Sequence, residues 1–240
     1  MKQSRQHVSH HMAYKPSVDG KLEAGPRHYF IVEKFSPFLK GKRHLDIGCW
    51  EGAFLSLCNN LTKFSVGLEL EIIPLKLAIL KKRARFFVNG SVLSSPFRNN
   101  FFEAVTFSEV VEHLPSRKEI YALQELNRIL VSGGYLWVTA PNSNPLGILL
   151  DPAYFLRGHR HYTRRTLKKL LYRTGFKTIK IYYTGGPVGA LRELGANFYK
   201  HILKRPFPIY PWLERLRNKE YFDNRSYFNS YQIQILAQKK

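Results

Sequence analysis

The segment from His44 to Gly52 constrains the fold more than any other stretch of the chain. It reads His-Leu-Asp-Ile-Gly-Cys-Trp-Glu-Gly, so a short apolar run ends at an acid, a glycine-bearing turn follows, and a helical pattern begins at Glu51. In open α/β sheets such a strand, turn and helix present a ligand site at the carboxyl edge of the sheet. Gly48 and Gly52 allow torsions and close approaches that a side chain would forbid. Because glycine turns after strands are common, this segment alone indicates a fold class and not a ligand.

Strand and helix patterns alternate along the rest of the chain. Apolar residues at helical spacing predict helices over 27–39, 51–60, 72–83, 118–130 and 163–174, with a helix-like stretch over 213–220. Short apolar runs predict strands at 44–47, 64–69, 86–88, 103–107, 135–139, 176–183 and 230–237. Strands that alternate with helices of this length are joined by right-handed crossovers in a largely parallel sheet. The sequence therefore predicts an α/β fold.

Length and composition favour one domain in a reducing compartment. A chain of 240 residues is long enough for a single α/β domain, which we expect at 27–240, preceded by an N-terminal arm or lid at 1–26. Two cysteines, Cys49 and Cys58, exclude a disulfide framework. No apolar run approaches the roughly 20 residues that span a bilayer, and the N-terminal stretch around His7, His10 and His11 lacks the apolar centre of a signal peptide. These features predict a soluble, cytoplasmic protein.

The chain carries a large positive charge. It has 38 Lys and Arg against 17 Asp and Glu, a net charge of +21. Such a field attracts nucleic acid, anionic lipid head groups or phosphorylated substrates, and speeds their encounter. A basic surface also serves solubility, so the charge by itself leaves the partner open. Basic clusters at 157–165 and 200–217 lie in the half of the chain that should face a substrate, which favours an anionic or membrane-surface partner.

Several motifs in sequence resemble one known family. The motifs are Leu45–Gly52, Val66–Glu69, Pro96–Val105, Ser108–Leu114, Glu125–Gly134, Thr139–Asn142, Arg160–Thr163 and Gly175–Phe176. In order and spacing they resemble the class I S-adenosylmethionine-dependent methyltransferases of the small-molecule type. The resemblance implies a Rossmann-like fold with a mostly parallel seven-stranded sheet, helices on both faces and an antiparallel C-terminal strand. It also implies S-adenosyl-L-methionine as cofactor.

The motifs supply a set of predicted cofactor contacts. Glu69 ends a strand about 20 residues after the glycine turn, where an acid can accept hydrogen bonds from both ribose hydroxyls of an adenosine. Asp46 and the turn amides are expected to hold the amino-acid portion, with the backbone at Ser108 facing the same ammonium group. Ser91 and Val92 fall where the adenine edge is read. The full predicted set is Asp46, Gly48, Cys49, Trp50, Gly52, Glu69, Leu70, Ser91, Val92, Ser108 and Glu109.

Two residues depart from the family pattern. Trp50 occupies a position that is usually glycine or another small residue, so its indole must point away from the cofactor or stack along it. Ser91 stands where many relatives carry an aspartate, and its hydroxyl would bond the adenine without charge assistance. A dinucleotide dehydrogenase, the competing enzyme class on such a sheet, requires the G-x-G-x-x-G pattern. That pattern is missing because Trp50 interrupts it and no third glycine follows at the required step.

The candidates for catalysis are histidines near the ends of two strands. Transfer of a methyl group to a hydroxyl needs a general base, and His113, His161 and Glu112 are the candidates. His113 can equally cap a helix or pack against adenine, and His161 can cap the helix that begins near Thr163. No set of Cys, His and carboxylate residues has metal-ligand spacing, so no metal is expected. The Asn-Pro-Pro-Tyr signature of nucleobase amine methylation is also absent after the fourth strand.

The segment 185–228 is the least familiar part of the chain and is expected to be an insertion or cap on the substrate side. Basic residues stand beside Phe207, Tyr210 and Trp212 there, a combination that suits a membrane interface or a lipid-linked substrate, and equally a lid or a dimer contact. The function predicted from these features is methyl transfer to a small or lipid-linked acceptor at oxygen. The alternative is a non-catalytic nucleic-acid-binding protein on a methyltransferase-like fold.

Overall fold

The structure, a computed structural model, describes residues 24–149, 151, 154, 158–208, 210–223 and 227–240. A single seven-stranded sheet runs through the described part of the chain in the order β3-β2-β1-β4-β5-β7-β6. The strands are β1 (Arg43–Ile47), β2 (Phe64–Glu69), β3 (Phe86–Asn89), β4 (Phe102–Ser108), β5 (Leu130–Pro141), β6 (Phe176–Thr184) and β7 (Gln232–Lys239). The pairs among β1 to β5 are parallel, while β7 pairs antiparallel with both β5 and β6. The predicted fold class is confirmed.

Helices connect these strands close to the predicted positions. The helices are α1 (Pro26–Leu39), α2 (Ala53–Cys58), α3 (Ile72–Leu80), α4 (Glu119–Ile129), α5 (Pro145–Leu149), α6 (Arg164–Arg173), α7 (Pro187–Phe198) and α8 (Pro211–Phe222). Thr163 caps α6, since its hydroxyl accepts a hydrogen bond from the Thr166 N–H at 3.1 Å. The predicted helices at 51–60 and 72–83 were too long, because turns begin at Asn59 and Lys81.

Residues 132–134, which separate the predicted helix from the predicted strand at 135–139, form a bulge within β5. Phe102 pairs with Leu130, but Ala104 pairs with Tyr135, so the register of β5 shifts across the glycines. Gly133 has a φ of +73°, in the left-handed region that glycine adopts without strain. The strand therefore begins at the apolar Leu130. It was predicted to begin at Tyr135, because the glycine pair resembles a break before the strand.

Segment 185–228 contains a helix that the sequence did not predict. In α7, Gly189 and Gly195 lie against the rings of Tyr231 and Phe207, where a Cβ atom would come within 2.9 and 2.8 Å of ring carbons. These glycines therefore provide close packing, although they resemble helix breakers in the sequence. The buried Glu220 of α8 accepts hydrogen bonds from the Val188 and Gly189 N–H groups at 3.2 and 2.9 Å. This carboxylate joins α8 to the N-terminus of α7.

Two apolar clusters cover the two faces of the sheet. The larger one joins β1, β2, β4, β5 and β7 to α4 and α6, and the second joins α1 and α8 to Trp137. Both faces are therefore covered, as expected for a doubly wound sheet, and the carboxyl ends of β1, β2, β4 and β5 meet at one edge. Among the described residues, no helix is long and apolar enough to cross a membrane. Residues 1–23, which include His7, His10, His11 and nearly all of the expected arm, lie outside the described part.

Candidate active site

A cavity of about 250 Å³ opens at the carboxyl ends of β1 and β4. Its walls contain some of the predicted cofactor residues, namely Asp46, Gly48, Cys49, Trp50 and Ser108. Residues that the sequence analysis did not single out complete the walls: Arg27, His28, Ala53 and Phe54. Trp50 lines this space and does not fill it. We refer to this cavity as the cofactor cleft.

Asp46 ends a buried chain of polar side chains that crosses the centre of the sheet. Its Oδ1 accepts a hydrogen bond of 2.5 Å from the Thr106 hydroxyl, which in turn lies 3.1 Å from His44 Nε2. The other nitrogen of His44 lies 2.9 Å from the Ser65 hydroxyl. Because the Thr106 hydrogen points to Asp46, Thr106 must accept from His44 Nε2–H, which fixes the tautomer of the imidazole. This network was not predicted from the sequence, although a histidine in an apolar central strand was a signal for it.

Burial governs the ionisation of this network. Asp46 is only 4% exposed, and burial raises its pKa to about 7, with the nearby Glu69 adding to the shift and the Thr106 hydrogen bond opposing it. Burial lowers the pKa of His44 to about 3, so the imidazole is neutral. The cleft therefore contains an acid that a cationic ligand would convert to its carboxylate form.

Glu69 holds the turn that carries Trp50. The acid is 6% exposed at the end of β2, and its two oxygens accept hydrogen bonds from the Trp50 N–H at 2.8 Å and the Glu71 N–H at 2.9 Å. Trp50 has a φ of +49°, a left-handed conformation that is unfavourable for a bulky residue, and the bond to Glu69 stabilises it. A carboxylate has about four acceptor positions, so Glu69 retains capacity for ribose hydroxyls. Burial raises its pKa, against the backbone hydrogen bonds that lower it.

The turn at Gly48 touches the segment after β4. Gly48 has a φ of +70°, and a Cβ atom there would overlap Cγ2 of Val110. The predicted role of this glycine was close approach to a cofactor. The structure adds a second reason for glycine, because Val110 lies against the backbone of the turn.

The other predicted cofactor residues, Glu69 and Glu109 among them, lie outside the walls of the cleft. Leu70 follows Glu69 and is 64% exposed, an apolar surface beside the acid that would suit an adenine ring. The Ser91 hydroxyl accepts a hydrogen bond from the Leu93 N–H at 3.1 Å, so it is used within its own loop. Val92 is buried in the core. Gly52 precedes α2 with a φ of +78°. Their contact with a cofactor remains a prediction.

A second cavity of about 420 Å³ adjoins the cofactor cleft, and we refer to it as the acceptor cavity. Arg27 and His28 line both cavities. Glu109 lines the acceptor cavity and lies 3.5 Å from Arg27, while its N–H and carboxylate are both bonded to the Thr139 hydroxyl, at 3.0 and 2.7 Å. Segment 185–228 contributes Ala190, Arg217 and Tyr221 to the wall.

His161 lies in the wall of the acceptor cavity, in contact with two acceptors. Its Nε2 is 2.8 Å from Asp151 Oδ2 and its Nδ1 is 3.2 Å from the carbonyl oxygen of Asn142. It therefore does not cap α6, which Thr163 does. The same Asp151 oxygen lies 2.7 Å from His159 Nδ1. His113 is exposed, and its ring centroid lies 4.8 Å from that of His159.

Glu112 is a fully buried acid beside these histidines. Neither of its oxygens has a hydrogen-bond partner among the described residues, and Oε1 lies 3.9 Å from His159 Nε2. Burial raises the pKa of Glu112 well above its ordinary value, and the nearby Glu109 raises it further. Sequence spacing had revealed no group of metal ligands, but the fold brings together Glu112, His113 and His159, and also Asp151, His159 and His161, from separate segments.

The cleft suits an adenosyl sulfonium. Two buried acids lie at the ends of neighbouring strands, where they can accept from hydroxyl and ammonium groups, and an exposed apolar side chain lies beside one of them. Glu69 contributes to the raised pKa of Asp46, because the two negative charges repel each other. A cation bound between the two acids would relieve this repulsion. The residues present therefore fit S-adenosylmethionine, and the contacts of Asp46 with its ammonium group and of Glu69 with its ribose stay predictions.

Comparison with known proteins identifies the family of the chain. The chain matches the model of a family described as a methyltransferase domain over residues 26–181, nearly two thirds of its length. It is 34% identical over 102 residues to an uncharacterized protein of Methanocaldococcus jannaschii, and this alignment spans 42% of each chain. The chain therefore covers less than half of the curated relative that it matches.

Solved structures share the fold at low identity. A SAM-dependent methyltransferase from Archaeoglobus fulgidus superposes with a TM-score of 0.62 at 20% identity, over 88% of this chain and 94% of that one. A SAM-dependent methyltransferase from Thermotoga maritima gives 0.63 at 19% identity, over 89% of each chain. At these identities the likeness establishes the fold alone.

The fold and cleft define a class I methyltransferase, and the family match covers most of the chain. The chain belongs to the methyltransferase-domain family, that is, the class I S-adenosylmethionine-dependent methyltransferases, whose cofactor is S-adenosylmethionine. None of these similarities supports the alternative of a non-catalytic nucleic-acid-binding protein.

Proposed function

We propose that this protein transfers the methyl group of S-adenosylmethionine to an oxygen atom of a small or lipid-linked acceptor in the acceptor cavity. The observation that carries this proposal is the shared wall. Arg27 and His28 line both the cofactor cleft and the acceptor cavity, so the two reactants would lie side by side. When bound, the cofactor supplies a methyl group already activated by its sulfonium. The protein's task is then to align an acceptor and exclude water.

The walls of the acceptor cavity contain groups that can remove a proton from a hydroxyl. Asp151, His159 and His161 form a hydrogen-bonded cluster there, and Glu109 also lines the cavity, 3.5 Å from Arg27. A hydroxyl acceptor needs a general base within hydrogen-bond reach, whereas a neutral amine attacks through its own lone pair. A cavity wall with several such bases therefore favours an oxygen nucleophile. His161 stays a predicted catalytic residue, and so does His113, which lines neither cavity.

Methyl transfer can be tested with labelled cofactor. The protein is incubated with S-adenosylmethionine carrying a carbon-13 methyl group and a panel of phenols, carboxylic acids, amines and polyprenyl alcohols. The carbon-13 shift of the product distinguishes an O-methyl from an N-methyl group. We expect O-methyl products, and binding of S-adenosylhomocysteine by calorimetry. Products carrying only N-methyl groups would overturn the oxygen assignment.

An exposed surface on segment 185–228 supports contact with an anionic membrane, from which a lipid-linked acceptor would enter. Phe198, Ile202 and Trp212 are 51%, 66% and 63% exposed, and Lys204 and Arg205 are exposed between them in sequence. Apolar side chains together with lysine and arginine match the acyl boundary and head groups of an anionic lipid surface. The net charge of +21 adds a long-range attraction between the protein and an anionic lipid surface.

Vesicle flotation tests this contact. The protein should float with vesicles containing phosphatidylglycerol and not with pure phosphatidylcholine, and a double variant, Ile202→Ser with Trp212→Ser, should bind several-fold less. Leu80→Ser is the control, because Leu80 is an apolar residue on α3, outside this segment, and is 75% exposed. If the double variant and Leu80→Ser bind anionic vesicles equally, segment 185–228 is not the contact surface.

A further inference from the structure

The Glu112 carboxyl group and Nε2 of His159 face each other, and neither makes the hydrogen bonds that buried polar atoms normally make. The Glu112 side chain is fully buried, and the His159 side chain is 16% exposed. Both Glu112 oxygens and His159 Nε2 lack hydrogen-bond partners among the described residues. The 3.9 Å between Glu112 Oε1 and His159 Nε2 is too long for a hydrogen bond. Buried polar atoms of native proteins are nearly always satisfied, so this pair indicates a ligand between them.

The neighbouring carboxylate fixes which atom of His159 faces Glu112. Asp151 Oδ2 lies 2.7 Å from His159 Nδ1, and a carboxylate accepts, so Nδ1 carries the hydrogen. In the neutral ring Nε2 then presents a lone pair toward the Glu112 carboxyl group. A carboxylate that holds one nitrogen of an imidazole while the other nitrogen binds an ion is the usual support of a metal-bound histidine.

His113 supplies a third donor on the same turn as Glu112. One ligand atom each from Glu112, His113 and His159 lie within 4.8 Å of one another. Two donor atoms that each bind one ion at about 2.1 Å are at most about 4.2 Å apart. Small side-chain rotations are therefore enough to bring the three donor atoms within reach of one ion. Arg160 fixes the turn, because it donates to the carbonyl oxygens of Val111 and Leu114. The other group, Asp151 with His159 and His161, is less suited, since one Asp151 oxygen already contacts both imidazoles.

We propose that Glu112, His113 and His159 form a binding site for a divalent first-row transition-metal ion. Two imidazoles and one carboxylate favour such an ion over Mg²⁺ or Ca²⁺, which prefer oxygen ligands. His159 also lines the acceptor cavity, so an ion here can bind an acceptor oxygen and make its hydroxyl more acidic. This use of the ion rests on the proposed function, whereas the site itself does not.

Cobalt binding tests the site. Because His7, His10 and His11 could bind metal on their own, the full chain is studied with these three replaced by alanine. We expect one Co²⁺ per chain, displaceable by Zn²⁺, with visible absorption bands and two exchangeable, paramagnetically shifted imidazole N–H signals in the proton NMR spectrum. Glu112→Gln and His159→Gln should each weaken Co²⁺ binding at least tenfold. Glu103→Gln, a carboxylate change at the opposite end of the sheet, should leave it unchanged.

Other outcomes overturn the assignment. If no Co²⁺ binds, Glu112 carries a proton in place of an ion, and the site does not exist. If His161→Gln weakens binding as much as His159→Gln while Glu112→Gln does not, the ion belongs to the Asp151 group. Should Glu112→Gln fail to fold, the two imidazole signals in the chain with Glu112 intact decide the question. If the chain binds Co²⁺ but methylates no hydroxyl acceptor, the proposed function is rejected and the metal site stands. If the chain binds no Co²⁺ and methylates an acceptor equally well in the presence of a chelator, the metal site is rejected and the proposed function stands.

Discussion

The cofactor cleft and the acceptor cavity are adjacent, but the chain builds them in different ways. Most of the cleft comes from the short run 46–54, with Ser108 at the end of the neighbouring strand β4. The acceptor cavity takes residues from α1, from the loops after β4 and β5, and from segment 185–228. A site made by one turn is visible as a motif, whereas a site made by distant segments is visible only once the fold brings them together.

The largest expected effect concerns the contact between Gly48, in the wall of the cofactor cleft, and Val110, in the segment after β4. Gly48→Ala should destabilise the protein by about 2–4 kcal/mol, because a left-handed φ and overlap with the stiff Val110 side chain add together. Gly41→Ala is the matched control, since Gly41 has the same φ of +70° with no atom within 4 Å of its added Cβ. Urea denaturation of both variants measures the difference. Equal losses would show that Val110 does not constrain the turn.

A smaller effect should appear in the affinity for the cofactor. Glu69→Ala removes the predicted acceptor for ribose and the support of the Trp50 turn, so S-adenosylhomocysteine should bind about 1–3 kcal/mol more weakly. Calorimetry measures this loss. Glu103→Ala, at the amino end of β4, should leave the affinity within twofold of the original. An unchanged affinity in Glu69→Ala would remove Glu69 from the cofactor site.

The polar network behind Asp46 should contribute a similar or smaller amount to stability. Thr106→Val leaves His44 Nε2 and Asp46 Oδ1 without their shared hydroxyl, which should lower the free energy of unfolding by about 1–3 kcal/mol. Thr106→Ser keeps the hydroxyl and should lose less. If Thr106→Val is as stable as the original protein in thermal and urea denaturation, these hydrogen bonds do not contribute to stability.

The smallest expected effect is a pH dependence, which has opposite signs for the affinity for the cofactor and for the stability of the protein. Because burial raises the pKa of Asp46 from 3.8 to about 7, its contribution to stability is fully present below pH 3.8 and is lost as the pH rises through 7. Binding of the cofactor's ammonium group needs the ionised acid, so affinity should rise roughly fivefold between pH 6 and pH 7. Calorimetry across this interval checks the slope. Asp46→Asn should abolish it, and a slope that persists in that variant would assign the titration to another group.

Local patterns were sufficient to predict most of the fold. The run Phe64–Glu69 was predicted at its observed bounds, because an apolar strand bounded by polar residues has few alternatives. Helix α7 was missed because Gly189 and Gly195 resemble breaks until their packing against Tyr231 and Phe207 is known. The bulge in β5 was missed for a related reason, since paired glycines indicate a turn but not whether a strand continues through it.

The site could be predicted only where its residues are close in sequence. Asp46 and the turn after it were found from one motif, and they line the cleft. The cluster of Glu112 and His159 was not found, because these residues lie on segments far apart in sequence that contacts such as those of Arg160 and Tyr162 with Val111 bring together. The tautomer of His44 was equally hidden, since it depends on hydroxyls from two other strands.

The contact of Val110 with Gly48 has a consequence for how the two reactants bind. Val110 stands between Glu109 and the turn that carries Glu112, so a ligand that displaces the backbone at Gly48 must also move these acids. A cofactor that displaces Gly48 in this way would make the free energy of filling the acceptor cavity depend on whether the cleft is filled. Thermodynamic reciprocity requires the acceptor to change the affinity for the methyl donor by the same factor as the donor changes the affinity for the acceptor.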